Sequence, residues 1–242
     1  MAEISLNFKS GCLGKEVCVK ILLPNSVKKG TKLPVMYLLH GLSDNQNSWS
    51  CYSSIGEFVK GKDVIVVMPD GERSFYTDIP DFGNFFTYIT KELPDYIESV
   101  FPARDDREGR FIAGLSMGGY GALKSAFTYP ERYKAAAAFS AVADVFDFCE
   151  NFPYIKNSVF KDNTYPEKQD LFLLSKSAET APEKPRIYHW CGTEDFMYHR
   201  NVAFSEHMKA LDFDYTYCET PGDHSWKYWN EQIKIALEFF RI

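Results

Sequence analysis

The chain has 242 residues, 45% of them hydrophobic, 16% aromatic and 25% charged, with a formal net charge of −6. That length fits a single α/β unit spanning 1–242, and the apolar content fills a core and excludes a disordered chain. An acidic chain without a basic run is a poor match for phosphate backbones, which argues against a nucleic-acid partner and for a small molecule.

In chain order, Glu3 to Lys9 and Lys15 to Leu23 read as two strands of a hairpin, broken by Gly11 and Gly14. Leu33 to Leu39, Val64 to Met68, Phe111 to Leu115 and Arg186 to Cys191 are continuous apolar runs. Runs apolar on both faces fit strands of a parallel sheet covered by helices above and below. Ala135 to Ser140 is ambiguous by propensity, but its place in the alternation favours a strand, and Tyr215 to Cys218 adds another. Between them, Phe86, Ile89, Leu93, Ile97 and Val100 recur at helical spacing, with a kink or a break expected at Pro94. Met117 to Phe127 reads as a small-residue helix, and a weaker helix follows Tyr198. Trp226, Trp229, Ile233, Leu237 and Phe240 form one face of a C-terminal helix whose other face is charged. Alternating strands and helices imply right-handed crossovers and a mostly parallel sheet. The stretch 144–182 interrupts the alternation and is expected to be a cap-like insertion over the sheet. Its aromatics, Phe146, Phe148, Phe152, Tyr154, Phe160 and Tyr165, line a substrate pocket or form a small satellite core.

No stretch of about 18 apolar residues is present, so no membrane span is expected. MAEISLNFKSG lacks the basic and apolar segments of a secretory signal. The six cysteines, Cys12, Cys18, Cys51, Cys149, Cys191 and Cys218, form no C-x-x-C pair. They are expected to be reduced thiols of a cytoplasmic protein, with Cys18, Cys191 and Cys218 buried in strands.

The strongest local signal is Gly114-Leu115-Ser116-Met117-Gly118, a G-x-S-x-G between a strand-like run and a helix. That turn would expose the Ser116 hydroxyl at a helix N-terminus, where free N–H groups favour negative charge. A serine needs a base. Of the five histidines, His40 lies upstream in the wrong order, His189 sits inside a strand run, and His199 and His207 fall on a helix surface. His224 remains, in a Pro-Gly-Asp-His-Ser turn before the last helix. The acid should lie between serine and histidine at a strand end. Asp195 is the choice, and Glu194 is the neighbour that could replace it. Asp223 adjoins the histidine too closely to orient it, and Asp212 and Asp214 are expected to be solvated. Leu39-His40-Gly41-Leu42 ends another strand, which makes the backbone amides of Leu42 and Met117 candidates for an oxyanion hole.

With these parts in place the sequence resembles the esterase D-like carboxylesterases, which include tributyrin esterases, S-formylglutathione hydrolases and feruloyl or acetyl esterases. The carrying motifs are HGLSDNQNSW (His40 to Trp49), PDGERSFYTD (Pro69 to Asp78), GLSMGGYGA (Gly114 to Ala122), GTEDF (Gly192 to Phe196) and GDHSWKYW (Gly222 to Trp229), spread over nearly the whole chain. The resemblance implies the α/β-hydrolase fold and a serine esterase acting on short-chain acyl or hydroxycinnamoyl esters. It implies a triad of Ser116, Asp195 and His224, an oxyanion hole of Leu42 and Met117, and a pocket walled by Trp49, Tyr76 and Trp226. No metal or organic cofactor is needed. The substrate would be a small-molecule ester, with a sugar or phenolic alcohol among the options. Oligomeric state is left open, a homo-oligomer included. Ser43-Asp44-Asn45 stand where S-formylglutathione hydrolases carry a cysteine, which keeps the glutathione thioester as the second reading. A non-catalytic binding protein that kept the fold is the alternative outside enzymology.

Overall fold

The computed structural model describes residues 1–25, 27–160 and 166–242. Tyr165, counted among the aromatics of the insertion, lies outside the described residues. The strands are β1 (Ala2–Lys9), β2 (Glu16–Leu23), β3 (Val35–Leu39), β4 (Ile65–Pro69), the short β5 (Asp78–Ile79) and β6 (Gly83–Asn84), β7 (Arg110–Leu115), β8 (Ala135–Phe139), β9 (Arg186–Gly192) and β10 (Tyr215–Thr220). Eight of them form one sheet in the order β1-β2-β4-β3-β7-β8-β9-β10. β1 and β2 pair antiparallel from Ala2 opposite Leu23 to Lys9 opposite Glu16, and β2 also runs antiparallel to β4. Every other pairing in this sheet is parallel. The sequence reading of a parallel sheet with an antiparallel N-terminal hairpin therefore holds.

Period-two alternation divides the central strands between two cores. Val35, Tyr37 and Leu39 face one side, and Met36 and Leu38 face the other. On the first side pack α5 (Met117–Thr128), α8 (Leu171–Ala178) and α9 (Tyr198–Lys209), through residues such as Leu123, Leu174 and Phe204. On the second lie α1 (Ser48–Tyr52), α2 (Ile55–Phe58) and α10 (Trp226–Phe240), through Trp49, Ile55, Trp229, Ile233, Leu237 and Phe240. β8 reads Ala-Ala-Ala-Ala-Phe, and all five residues are buried. Its strand state comes from pairing with β7 and β9, since alanine has little intrinsic preference for a sheet.

The kink or break expected at Pro94 takes another form. α3 (Phe85–Thr87) runs through a π-helical turn, Tyr88–Glu92, into α4 (Leu93–Val100). The Leu93 N–H reaches back five residues to the Tyr88 carbonyl, and Pro94 falls in the first turn of α4. A widened turn removes the clash of the proline ring with the preceding carbonyls, so the helix path continues.

Within 144–182 the described elements are α6 (Val145–Asn151), α7 (Pro153–Ser158), a 3₁₀ turn at Pro166–Lys168, and α8. Asp144 caps α6 by accepting the Asp147 N–H at 2.9 Å, and Asp170 caps α8 through the Phe172 N–H at 2.8 Å. Cys191 and Cys149 are buried, but Cys18 and Cys51 are exposed and Cys218 is half-buried. The expected burial of Cys18 and Cys218 is thus corrected: β2 turns Val17, Val19 and Ile21 inward, which points Cys18 outward.

Candidate active site

The parallel strands end on one rim of the sheet, where turns into helices leave backbone amides unpaired. Ser116 stands between β7 and α5 with φ 53° and ψ −116°, a conformation that costs a residue with a side chain on the order of 1–3 kcal/mol. Its neighbours hold it there. The Ser116 N–H donates to the Phe139 carbonyl at 2.8 Å, and its own carbonyl accepts from Tyr120 N–H at 3.1 Å and Val142 N–H at 3.2 Å. The flanking glycines are steric requirements. A Cβ on Gly114 would lie 2.3 Å from the Gly118 carbonyl oxygen, and one on Gly118 would lie 2.4 Å from that of Leu39.

His224 comes from the loop between β10 and α10. Its Nε2 lies 3.0 Å from Ser116 Oγ, and its Nδ1 lies 3.0 and 2.9 Å from the two Asp195 carboxylate oxygens. Asp195 follows β9, is buried, and also accepts the Met197 N–H at 2.8 Å. Three side chains distant in sequence therefore form one hydrogen-bonded line. Because the carboxylate accepts a hydrogen bond from Nδ1–H, that proton stays on Nδ1 and Nε2 presents its lone pair to the serine hydroxyl. Asp212 and Asp214 pair with Lys184 and Arg186 at the surface, away from this line.

The other histidines do different work. His40 is buried, with Nδ1–H donating to the Gly41 carbonyl at 2.7 Å and Nε2 accepting the Gly71 N–H at 2.8 Å. Asp70 approaches that Nε2 to 3.4 Å, but the lone pair already serves Gly71, so the contact is no ion pair. In a trans peptide C=O and N–H point in opposite directions, so fixing the Gly41 carbonyl also fixes the direction of the Leu42 N–H. Neither the Leu42 nor the Met117 N–H has a hydrogen-bond partner among the described residues. Both residues line the cavity that contains Ser116. His189 is buried on β9, as expected. Its Nε2–H donates to Asn201 Oδ1 at 2.7 Å, and its Nδ1 accepts from the Tyr215 hydroxyl at 2.8 Å. Burial pushes this imidazole down to about 4, so it is neutral. Asn201 passes the constraint on, donating to the carbonyls of Ala141 at 2.9 Å and Met197 at 2.8 Å. Those carbonyls lie beside Val142, which braces Ser116, and beside the Asp195 turn. His199 is exposed, while His207 is half-buried, 2.9 Å from Ser175 Oγ and packed on Phe172.

The cavity at Ser116 has a volume of about 450 Å³ and includes Phe75, Phe148, Phe152, Phe196, Trp226 and Trp229 in its wall. Trp226 is part of this wall. Trp49 and Tyr76 are corrected, because both are core residues. Trp49 is 1% exposed, donates its indole N–H to the Leu39 carbonyl at 3.0 Å and meets the ring of Trp226 at 5.0 Å. Tyr76 is fully buried, with its hydroxyl on the His40 carbonyl at 3.0 Å. Sequence reasoning missed Phe196, which is 58% exposed with its ring 4.5 Å from that of His224. It adjoins Asp195 in the GTEDF motif, and that adjacency to the acid was the available signal. The insertion's aromatics divide: Phe148 and Phe152 stack at 4.4 Å in the Ser116 cavity, whereas Phe146 and Phe160 line a separate one.

Fold and rim geometry together define a serine hydrolase of the α/β-hydrolase class. Residues 10–240 match the profile of the esterase family described as "Putative esterase", and the chain belongs to that family. It is a serine esterase, a hydrolase of carboxylic esters. It is similar to an acetyl esterase of Caldicellulosiruptor saccharolyticus, 31% identical over 99% of this chain and 98% of the relative. Among solved structures it is similar to FphF, a fluorophosphonate-binding serine hydrolase of Staphylococcus aureus, with a TM-score of 0.89 and 29% identity over 99% of this chain and 98% of that one. The S-formylglutathione hydrolase FrmB of the same organism superimposes with a TM-score of 0.88, again at 29% identity over 99% and 98%. No helix among the described residues is long and apolar enough to cross a membrane.

Proposed function

We propose that the protein hydrolyses short-chain acyl or hydroxycinnamoyl esters, with Ser116 as nucleophile, His224 as general base and acid, and Asp195 as the orienting carboxylate. The observation that carries the reading is the unbroken line from the Asp195 carboxylate through His224 to Ser116 Oγ. His224 Nε2 takes the hydroxyl proton as Ser116 Oγ attacks the ester carbonyl. Negative charge on the former carbonyl oxygen is met by the N–H groups of Leu42 and Met117. The tetrahedral species collapses, the alcohol leaves with the proton held on His224, and an acyl-serine remains. Water, deprotonated by the same imidazole, releases the acid. Asp195 stabilises the imidazolium in both halves without taking the proton itself.

Similarity to an acetyl esterase supports a small acyl group. The wall of Phe75, Phe148 and Phe152 supports room for an aromatic acyl or alcohol, including a phenolic or sugar ester. In this reading 1–242 is one domain and 144–182 is a cap that supplies Phe148 and Phe152 to the pocket. We also infer a reducing, cytoplasmic setting from six unpaired thiols, of which burial holds Cys149 up at about 11. Similarity to FrmB supports S-formylglutathione as a second reading. Side-by-side turnover of p-nitrophenyl acetate, p-nitrophenyl butyrate, methyl ferulate and S-formylglutathione tests both. The proposal expects oxygen esters to give the highest kcat/KM, and a preference for the thioester by tenfold or more overturns it.

A further inference from the structure

Lys124 lies on α5 about two helical turns beyond Ser116 and takes no part in the chemistry above. Its side chain is 2% exposed. Nζ donates to Gln169 Oε1 at 2.6 Å, Thr77 Oγ1 at 2.8 Å and the Tyr76 carbonyl at 3.3 Å, and sits 4.6 Å from the centre of the Phe86 ring. All of these partners are neutral. The acid whose field reaches it is Asp78, and the Asp78 oxygens are held instead by the Thr87 N–H and hydroxyl at 2.9 and 2.7 Å. A buried ammonium without a carboxylate is costly, and burial accordingly pushes this amine down to about 7.

Lys124 borders a cavity of about 690 Å³, separate from the one at Ser116. Its apolar wall includes Ile79, Phe86, Tyr129, Phe146, Phe160 and Leu174. The partition includes Phe160 on this side and Phe75 on the other, with ring centres 5.6 Å apart. Two further polar groups border the cavity with hydrogen-bonding capacity in hand. The Thr128 hydroxyl is buried without a partner, and Gln169 spends only its carbonyl side on Lys124, Thr77 and Tyr120. Among the described residues, the other charged groups facing this space are Asp78 and Asp81 on the β5 side and Lys168 on the insertion. The phenols of Tyr76 and Tyr120 near Lys124 are held neutral by burial.

We propose that this cavity is a second binding site, for an apolar monocarboxylate whose carboxylate takes the Lys124 N–H now spent on the long 3.3 Å contact to the Tyr76 carbonyl, while its hydrocarbon part lies among the aromatic rings. The ligand supplies the missing counter-ion, and its size fits the volume usual for small-molecule sites. The site stands apart from ester hydrolysis, since none of its residues belongs to the Ser116 line.

The site has a signature of its own. Only the ammonium form of Lys124 attracts the carboxylate, so binding above neutral pH draws a proton onto the protein. The test uses protein labelled at Ser116 with a fluorophosphonate, which occupies the first cavity. Benzoate is titrated calorimetrically at pH 8 and pH 9 in buffers of different protonation heat, with benzamide as the uncharged control. The expected result is one site, close to one proton taken up per benzoate at pH 8, affinity about tenfold weaker at pH 9, and no binding of benzamide. Lys124→Met should abolish binding. Thr128→Val, a milder change, should keep the fold and weaken binding severalfold. Absence of benzoate binding overturns the proposal, and so does binding with no proton uptake or equal binding of benzamide. Should Lys124→Met not fold, the proton count and pH dependence of the unmutated protein together with Thr128→Val decide.

Discussion

Glu194 is clamped to Gly222 at two points: its N–H donates to the Gly222 carbonyl at 2.9 Å, and its carboxylate accepts the Gly222 N–H. The carboxylate just before Asp195 in sequence is therefore spent on Gly222 and ties the acid loop to the base loop. Glu194→Ala should leave the fold intact and loosen the imidazole. The expected readout is a kcat lowered about tenfold with KM little changed, because orientation matters most in the transition state. An unchanged kcat contradicts the clamp.

Ser116 carries backbone strain that its chemistry needs. Ser116→Ala should abolish turnover of p-nitrophenyl acetate while leaving thermal melting nearly unchanged. Ser116→Gly should also be inactive, but it should melt higher than Ser116→Ala, since glycine accepts a positive φ. A gain of about 1 kcal/mol is expected. Equal melting temperatures for the two variants would show that the turn is unstrained.

Asp195 and His224 predict a pH profile. The base acts in its neutral form, so kcat/KM should fall on acidification. Asp195→Asn should lower kcat by about 10⁴, the size of effect expected when the imidazole is held in the wrong tautomer. A flat profile removes His224 from its role.

His40 should matter without touching substrate. His40→Ala removes the shorter of two hydrogen bonds on the Gly41 carbonyl, leaving that from the Asp44 N–H at 3.2 Å, and so loosens the direction of the Leu42 N–H. A loss in kcat of about 100-fold is expected, the scale of one lost oxyanion donor, with KM much less affected. Equal losses in kcat for His40→Ala and His199→Ala, the latter an exposed control, contradict this.

The His189 to Asn201 chain predicts how stability varies with pH. The folded-state imidazole titrates at about 4, below its ordinary 6.5, so the unfolded chain binds the extra proton between those values. Stability from this group is therefore full above about pH 6.5 and is lost as pH falls toward 4, by on the order of 3 kcal/mol. Denaturant melts of the parent and of His189→Gln at pH 5 and pH 7 measure it. The variant should show a smaller difference between the two pH values, and an identical difference rules the explanation out.

Much of this site was legible in the sequence because strand ends, glycines and a serine must occur in fixed order for the turn after β7 to exist. Ser116, Asp195 and His224 each sit at a break between periodic segments, which is where sequence reading is strongest. Trp49 and Tyr76 misled because a motif fixes a residue's neighbourhood but not which way its ring turns. One indole N–H bonded to the Leu39 carbonyl and one hydroxyl bonded to the His40 carbonyl put both rings in the core. The π-helical turn before Pro94 and the division of the insertion's rings between two cavities depend on tertiary packing, and no local pattern carries that information.

The central claim is that Ser116 Oγ bears the acyl group. Rapid quenching of the protein during turnover of p-nitrophenyl acetate, followed by mass spectrometry of its peptides, reads this directly. The account predicts an acetylated peptide modified at Ser116, absent from Ser116→Ala and accumulating when His224 is replaced by a weaker base. Steady turnover by Ser116→Ala, or acetyl transfer to another residue at the catalytic rate, would contradict it.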